Sequence, residues 1–263
     1  MAIIDDGPMY QAIALGFCEP IKGLPADDIY GTARYKDDKA VAIGIVATGI
    51  MYNKKVFDEK KWAPPTSWKD LKDPKYKKQL VVPPLNNTYG LHALVEYARE
   101  GGGSEKKIDA GFTTFKNEVG PNVLVYEPSP GKMTELFSSG QAVISVWGSG
   151  RAKSFADTGF PVGFVYPQEG AYALLSSVCP VAKSATNPLA QAFVQYLVTP
   201  EVQEKLASAY GYGPVNKKAK VEDDPRVPLP IGKRAADLIV IDWDTVNQNR
   251  DDWNKRWTRE IER

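Results

Sequence analysis

Between Leu80 and Trp147 the chain alternates short β-branched runs with stretches of helical period, and no other feature narrows its fold as far. Leu80-Val81-Val82-Pro83 reads as a strand. Thr88 makes a good helix N-cap, Leu91, Leu94, Val95 and Ala98 form an apolar stripe, and Gly101 ends it. Ser104 caps a second helix carrying Ile108, Phe112, Phe115 and Val119. Val123-Leu124-Val125-Tyr126 is a strand, Met133, Leu136 and Phe137 mark a helix that stops at Gly140, and residues 142–147 are a strand. Parallel neighbours need long crossovers, so strand, helix, strand, helix, strand is the order of a parallel sheet covered by helices. The fold class is α/β, with ligands expected at the carboxyl ends of the strands.

Downstream, residues 162–166 and 173–181 read as strands. Asn187-Pro188 opens a helix, with proline at its first position. Leu189, Ala192, Phe193, Tyr196 and Leu197 face one way on it. Thr199-Pro200 opens another helix, ending near Gly211. From Asp242 onward Trp243, Val246, Trp253, Trp257 and Ile261 recur at helical spacing, a face that docks on a core. The first visible run, Ala2-Ile3-Ile4, ends at Asp5-Asp6-Gly7-Pro8 and a helix through Ile13 and Leu15 follows. No charged leader or cleavage site precedes it, so no signal peptide is expected in this chain.

Composition removes several function classes. Lys+Arg is 33 against 32 Asp+Glu, a net charge of +1, which gives neither a nucleic-acid footprint nor a polybasic membrane patch. One histidine and two cysteines leave no Cys/His zinc set and no disulfide scaffold, and no metal ligands or cofactors are expected. His92 lies in a helical stretch and reads as a locally satisfied residue. Cys18 and Cys179 read by default as two buried thiols; pairing would need their Cα atoms about 5.5–6 Å apart. Gly148-Ser149-Gly150-Arg151 lacks the lysine and the spacing of a phosphate loop, and no Gly-x-Ser-x-Gly elbow occurs. Asp251-Asp252 reads as the solvated face of the last helix. No catalytic residues are assigned.

Six segments along the chain, in order, carry a family resemblance. They are Gly49-Ile50-Met51-Tyr52-Asn53-Lys54, the Pro65-Thr66-Ser67-Trp68-Lys69-Asp70-Leu71-Lys72-Asp73-Pro74-Lys75-Tyr76-Lys77 turn, Gly140 through Gly148, Tyr166-Pro167-Gln168-Glu169-Gly170-Ala171, Asn187-Pro188-Leu189-Ala190 and Tyr212-Gly213-Pro214-Val215-Asn216. Together they resemble the periplasmic solute-binding proteins of ABC importers, in the branch that includes polyamine and γ-aminobutyrate receptors. The resemblance implies a two-lobed type II binding-protein fold whose lobes close over a ligand in the cleft between them. It implies lobe 1 at 1–46 and 173–210 and lobe 2 at 47–172 and 211–263. Relative to the family, about 70–80 residues of the first lobe are expected to be missing, on ordinary domain sizes. It also implies a periplasmic location, an ABC permease of the inner membrane as partner, a small-molecule ligand, and a monomer.

Within that frame the candidate ligand residues are Asp5, Asp6 and Tyr10, then Asn87, Thr88 and Tyr89 where a strand feeds a helix, then Trp147, Arg151 and Ser176. Asn87-Thr88-Tyr89 presents helix N–H groups or simply caps a helix. Trp147 is an aromatic wall or a core residue, and Arg151 holds a carboxylate or pairs at the surface. Asp5 and Asp6 take an ammonium group or cap the next helix. Polyamine receptors that resemble this chain carry acids at the positions of Asn87, Gly90 and Ser176, and those acids offset ammonium charge in a desolvated cleft. Their absence here points to a carboxylate-bearing or zwitterionic ligand, similar to γ-aminobutyrate or an amino acid. The alternatives are a transferase-like enzyme on the same two-lobed fold, or an inactive fragment.

Overall fold

The computed structural model describes residues 1–262. Its elements run β1 (Ala2–Asp5), α1 (Asp6–Ala14), β2 (Val41–Asn53), α2 (Lys54–Glu59), β3 (Leu80–Val82), α3 (Thr88–Glu100), α4 (Asp109–Thr114), β4 (Val123–Tyr126) and α5 (Pro130–Ser138). There follow β5 (Ile144–Gly148), α6 (Ser149–Asp157), β6 (Val162–Val165), β7 (Tyr172–Cys179), α7 (Asn187–Leu197), α8 (Pro200–Tyr210), α9 (Lys233–Ala236) and α10 (Trp243–Glu260).

The chain forms two compact units. Unit 1 comprises residues 1–46, 173–224 and 229–237, and unit 2 comprises 47–172, 225–228 and 238–263. The chain crosses at Val46–Ala47, inside β2, at Tyr172–Ala173, and three more times between residues 224 and 238. Residues 211–224 and 229–237, expected with the second lobe, belong to unit 1. The cause is backbone pairing: Gly213 and Ile45 exchange hydrogen bonds of 2.9 and 2.8 Å, and Tyr30 N–H donates to Val215 O.

β7 lies between β1 and β2. β1 runs antiparallel to β7, pairing Ala2 with Cys179 and Asp5 with Ser176. Cys18 and Cys179 form a disulfide with Cα atoms 5.6 Å apart, which replaces the expectation of two free thiols. Of the five residues read as one face of α7, only Leu197 is buried. Ala190, Gln191, Val194 and Leu197 are buried, while Leu189, Phe193 and Tyr196 are exposed. Polar contacts decide this: Gln191 accepts from Lys22 N–H at 2.9 Å and donates to Pro20 O at 2.9 Å, fixing the Gln191 face against the 20–22 segment.

Unit 2 is built on a five-stranded sheet in the order β6-β2-β5-β3-β4. β3 runs parallel to β4 and β5, while β2 runs antiparallel to β5 and β6. All thirteen residues of β2 are buried, so the strand has no polar alternation and only its resemblance to a family segment marks it in the sequence. α3 starts at the expected cap itself, one residue early: Asn87, not Thr88, is the N-cap and accepts from Tyr89 N–H. Ser104 shapes a short turn rather than a helix start, its hydroxyl accepting from Lys106 N–H; the helix begins at Asp109 and runs on through a wide turn at Phe115–Val119. α10 buries Trp243, Val246, Trp253 and Trp257, and Trp257 packs edge-on against Phe115 and Tyr126. Asp251 and Asp252 lie on its exposed face.

The family-like Pro65–Lys77 segment is structural. Ser67 and Asp70 form a capping box, Trp68 is fully buried, and Trp68 Nε1 donates to Gly170 O at 2.8 Å. Glu169 accepts from both the Ser67 hydroxyl and Trp68 N–H, so two of the family-like segments are tied to each other. No described helix is long and apolar enough to cross a membrane.

Candidate functional site

The arrangement in unit 2 follows from the parallel pairing of β3 with β5. Leu80 lies opposite Ile144 and Val81 opposite Ser145, so both strands end on the same side of the sheet. α3 and α6 each begin just beyond those ends, which places two helix N-termini, with their unpaired N–H groups and positive dipole ends, at one edge. Asn87 prepares the first. Its N–H donates to Pro84 O, and its Oδ1 accepts from Tyr89 N–H, both at 2.9 Å. Arg250 braces the same loop by donating to Asn86 O at 3.0 Å. Thr88, only 7% exposed, opens the helix.

α6 starts directly off β5 with no loop. Ser149 is buried and its Oγ accepts from Ala47 N–H at 3.0 Å, which pins the start of α6 to β2. Arg151 is the third residue of α6, exposed, and among the described residues it makes no hydrogen bond or ion pair. Its guanidinium is therefore available for a planar bidentate acceptor.

Tyr89 is half-buried, its ring 5.4 Å from that of Trp147. Trp147 itself is 3% exposed and belongs to a core cluster with Met51, Val81, Phe137 and Phe155. Of the two readings of Trp147, this packing matches the core one; Tyr89 is the aromatic lying over it. Gly90 has a steric reason. A Cβ there would meet Pro83 O at 2.3 Å and Pro84 O at 2.5 Å, so no acidic side chain fits the position without moving backbone.

Unit 1 holds the other candidates. Asp5 ends β1, exposed, directly across from Ser176, and as N-cap of α1 it makes no side-chain capping bond. Asp6, 1% exposed, is the first residue of α1 and accepts from Gly7 N–H at 3.2 Å. Tyr10 packs against Tyr35, ring centroids 5.0 Å apart. Tyr35 in turn shares a 2.6 Å hydrogen bond with the Ser177 hydroxyl. Burial first, and then the charge of Asp6, pushes the Tyr35 phenol far above its ordinary range, so it stays protonated. Tyr35 and Ser177 were not candidates from the sequence. Tyr35 sits in an irregular segment with no period to reveal its inward direction, and Ser177 is one place from the residue that drew attention. Ser149 in unit 2 was missed because its partner, the Ala47 N–H, comes from a strand distant in sequence.

His92 is wholly buried in α3 and is satisfied on one side only. Its Nδ1 pairs with the Thr48 hydroxyl at 2.8 Å, its ring stacks 5.1 Å from Tyr172, and Nε2 has no hydrogen-bond partner among the described residues. Burial, helped by the charge of Arg250, pushes its pKa down from 6.5 to about 3. The unfolded chain then binds a proton that the folded chain refuses between those values. Stability from this group is complete above pH 6.5 and is lost as pH falls towards 3. Between pH 7 and pH 5 the His92 contribution should fall by about 2 kcal/mol, at about 1.4 kcal/mol per unit below the unfolded pKa. Urea unfolding of the parent and of His92→Asn at both pH values checks this; equal losses in the two proteins would mean His92 is charged in the fold. Among the described residues no group of three His, Cys, Asp or Glu side chains is placed to hold a metal.

The family described as bacterial extracellular solute-binding protein matches residues 3–249. The spermidine/putrescine-binding periplasmic protein of Escherichia coli K12 is 26% identical over 182 residues, which is 69% of this chain and 51% of that protein. This chain thus spans about half the length of the curated relatives it matches. Among solved structures, an ABC transporter protein from Clostridium perfringens superposes with a TM-score of 0.84 at 24% identity, covering 98% of this chain and 82% of that one. A GABA receptor superposes with a TM-score of 0.79 at 19% identity, covering 97% and 79%. These likenesses establish a shared fold.

Proposed function

We propose that this chain, which belongs to the family of bacterial extracellular solute-binding proteins, captures a small organic ligand bearing a carboxylate and delivers it to an ABC permease in the inner membrane. One observation carries the ligand class: Arg151, exposed and without a partner among the described residues, on the first turn of a helix that opens straight off β5 beside the start of α3. A carboxylate there meets a guanidinium fork and the positive ends of helices together.

Polyamines suit the chain less well. Gly90 has no room for an acid, the Asn87 amide oxygen is used as a cap, and Ser176 brings no charge. A buried ammonium lacking such partners costs several kcal/mol, on the order known for unpaired buried ions. The candidate residues include no nucleophile held by a base, so the reading is capture without chemistry, by a monomer. The buried disulfide suits an oxidising compartment such as the periplasm.

A thermal-shift screen tests the ligand class, with amino acids, ω-amino acids, dicarboxylates, sugar phosphates and polyamines as the panel. A ligand at 100 times its Kd stabilises the fold by about 2.7 kcal/mol, which moves the midpoint visibly. Stabilisation by carboxylates or zwitterions is expected, and stabilisation by polyamines alone would overturn the proposal. Arg151→Ala should weaken the carboxylate ligand at least tenfold, about 1.4 kcal/mol. Unchanged affinity would take Arg151 out of the site.

A further inference from the structure

Gly148 ends β5 and is the residue before α6, with φ −89° and ψ 140°, a conformation open to any residue. Backbone freedom therefore does not explain a glycine there; space does. A Cβ on residue 148 would lie 2.2 Å from Tyr89 Oη, 2.5 Å from its Cζ and 2.8 Å from its Cε1. The far end of the Tyr89 ring thus rests on the bare Cα of Gly148. Its near end is fixed by the first turn of α3, where Asn87 caps the Tyr89 N–H, and its flank is fixed by Trp147. The ring spans from the start of one helix to the start of the other.

We infer that Gly148 is a positioning residue of the ligand site: by lacking a side chain it lets Tyr89 lay its hydroxyl at the mouth of α6, where the phenol donates to the same carboxylate that Arg151 holds. Any larger residue at 148 swings the ring aside, because the colliding atoms are the tip of a rotatable side chain and not backbone. The α6 N-terminus and Arg151 then remain, but the third donor is gone. The inference rests on the carboxylate reading given above and adds to it a determinant of fit: Tyr89 fills lateral space next to the anion, so the site favours a flat carboxylate with a slender chain over a bulky head group.

The test is a cycle of the parent, Gly148→Ala, Tyr89→Ala and the double variant, titrated calorimetrically with γ-aminobutyrate and with glutarate. Tyr89→Phe is added to remove the hydroxyl alone. Gly148→Ala should melt within a few degrees of the parent yet bind the better probe at least tenfold more weakly. In the Tyr89→Ala background the same substitution should cost nothing further, since the ring it displaces is already absent, and Tyr89→Phe should lose a comparable part of the affinity. A purely structural role for Gly148 would give equal losses in both backgrounds and overturn the inference. So would a parent-like affinity in Gly148→Ala. If Gly148→Ala does not fold, a double variant that folds and binds like Tyr89→Ala alone still supports the coupling, and one that does not fold overturns it. A parent that binds neither probe overturns the carboxylate reading and the inference with it, whereas a binding parent with an indifferent Gly148 overturns the inference alone.

Discussion

Replacing Cys18 and Cys179 together by alanine is expected to lower the unfolding free energy by about 2–5 kcal/mol, the range for loss of a native disulfide. The two cysteines are 161 residues apart, and both belong to unit 1. The loop they close contains residues 47–172, the largest part of unit 2, so the bond removes a very large set of conformations from the unfolded chain. In the chain-entropy account a loop of that length corresponds to about 5 kcal/mol at 25 °C. The folded side adds to it. Cys18 and Cys179 are 5% and 1% exposed, packed among Met9, Tyr35 and Ala40, so alanine leaves two gaps where sulfur was. Against a typical domain stability of about 5–15 kcal/mol this is a large fraction. Urea unfolding of the oxidised parent, of the same protein under reductant and of the double variant measures it; a change below about 1 kcal/mol would show that the bond does not constrain the unfolded ensemble.

That bond was also where sequence reasoning reached its limit most clearly. Two cysteines so far apart form no spacing pattern, and their meeting depends on pairings that only the fold creates: Ala2 opposite Cys179, and Cys18 opposite Val181. Local signals behaved differently. The alternation from Leu80 to Trp147 marked β3, α3, β4, α5 and β5 because short apolar strands alternate there with helices that carry their own apolar stripes and caps. β2 carried no period because both its faces are covered, and the buried face of α7 was missed because it is held by glutamine hydrogen bonds that hydrophobicity does not count. The candidate site divides along the same line. Asn87, Thr88, Tyr89 and Arg151 were legible because a strand feeding a helix is a local event. Tyr35, Ser177 and Gly148 depend on what another element places beside them, and nothing in their own neighbourhood of sequence announces it.

Trp147 is the residue at which the two kinds of information meet, and Trp147→Ala is expected to destabilise unit 2 by about 3–5 kcal/mol, the cost of deleting a large buried aromatic. As a residue at the end of a strand it invites a role as an aromatic wall against a ligand. Its side chain is nevertheless 3% exposed and joins Met51, Val81, Phe137 and Phe155 in the core on the side of the sheet that α5 and α6 cover. Alanine would leave a cavity walled by those side chains and remove the surface on which the Tyr89 ring rests. Binding should weaken too, but as a consequence: Tyr89 loses its support, while Arg151 and the helix starts stay where β3 and β5 put them. Trp147→Phe separates the two effects, because it restores most of the packed volume and a face for Tyr89. It should recover most of the stability and most of the affinity together. Denaturation midpoints and ligand titrations on the same two variants decide the matter. Near-parental stability in Trp147→Ala with a large loss of affinity would place the indole against the ligand, whereas a collapse of cooperative unfolding, with binding lost in proportion, is what its burial requires.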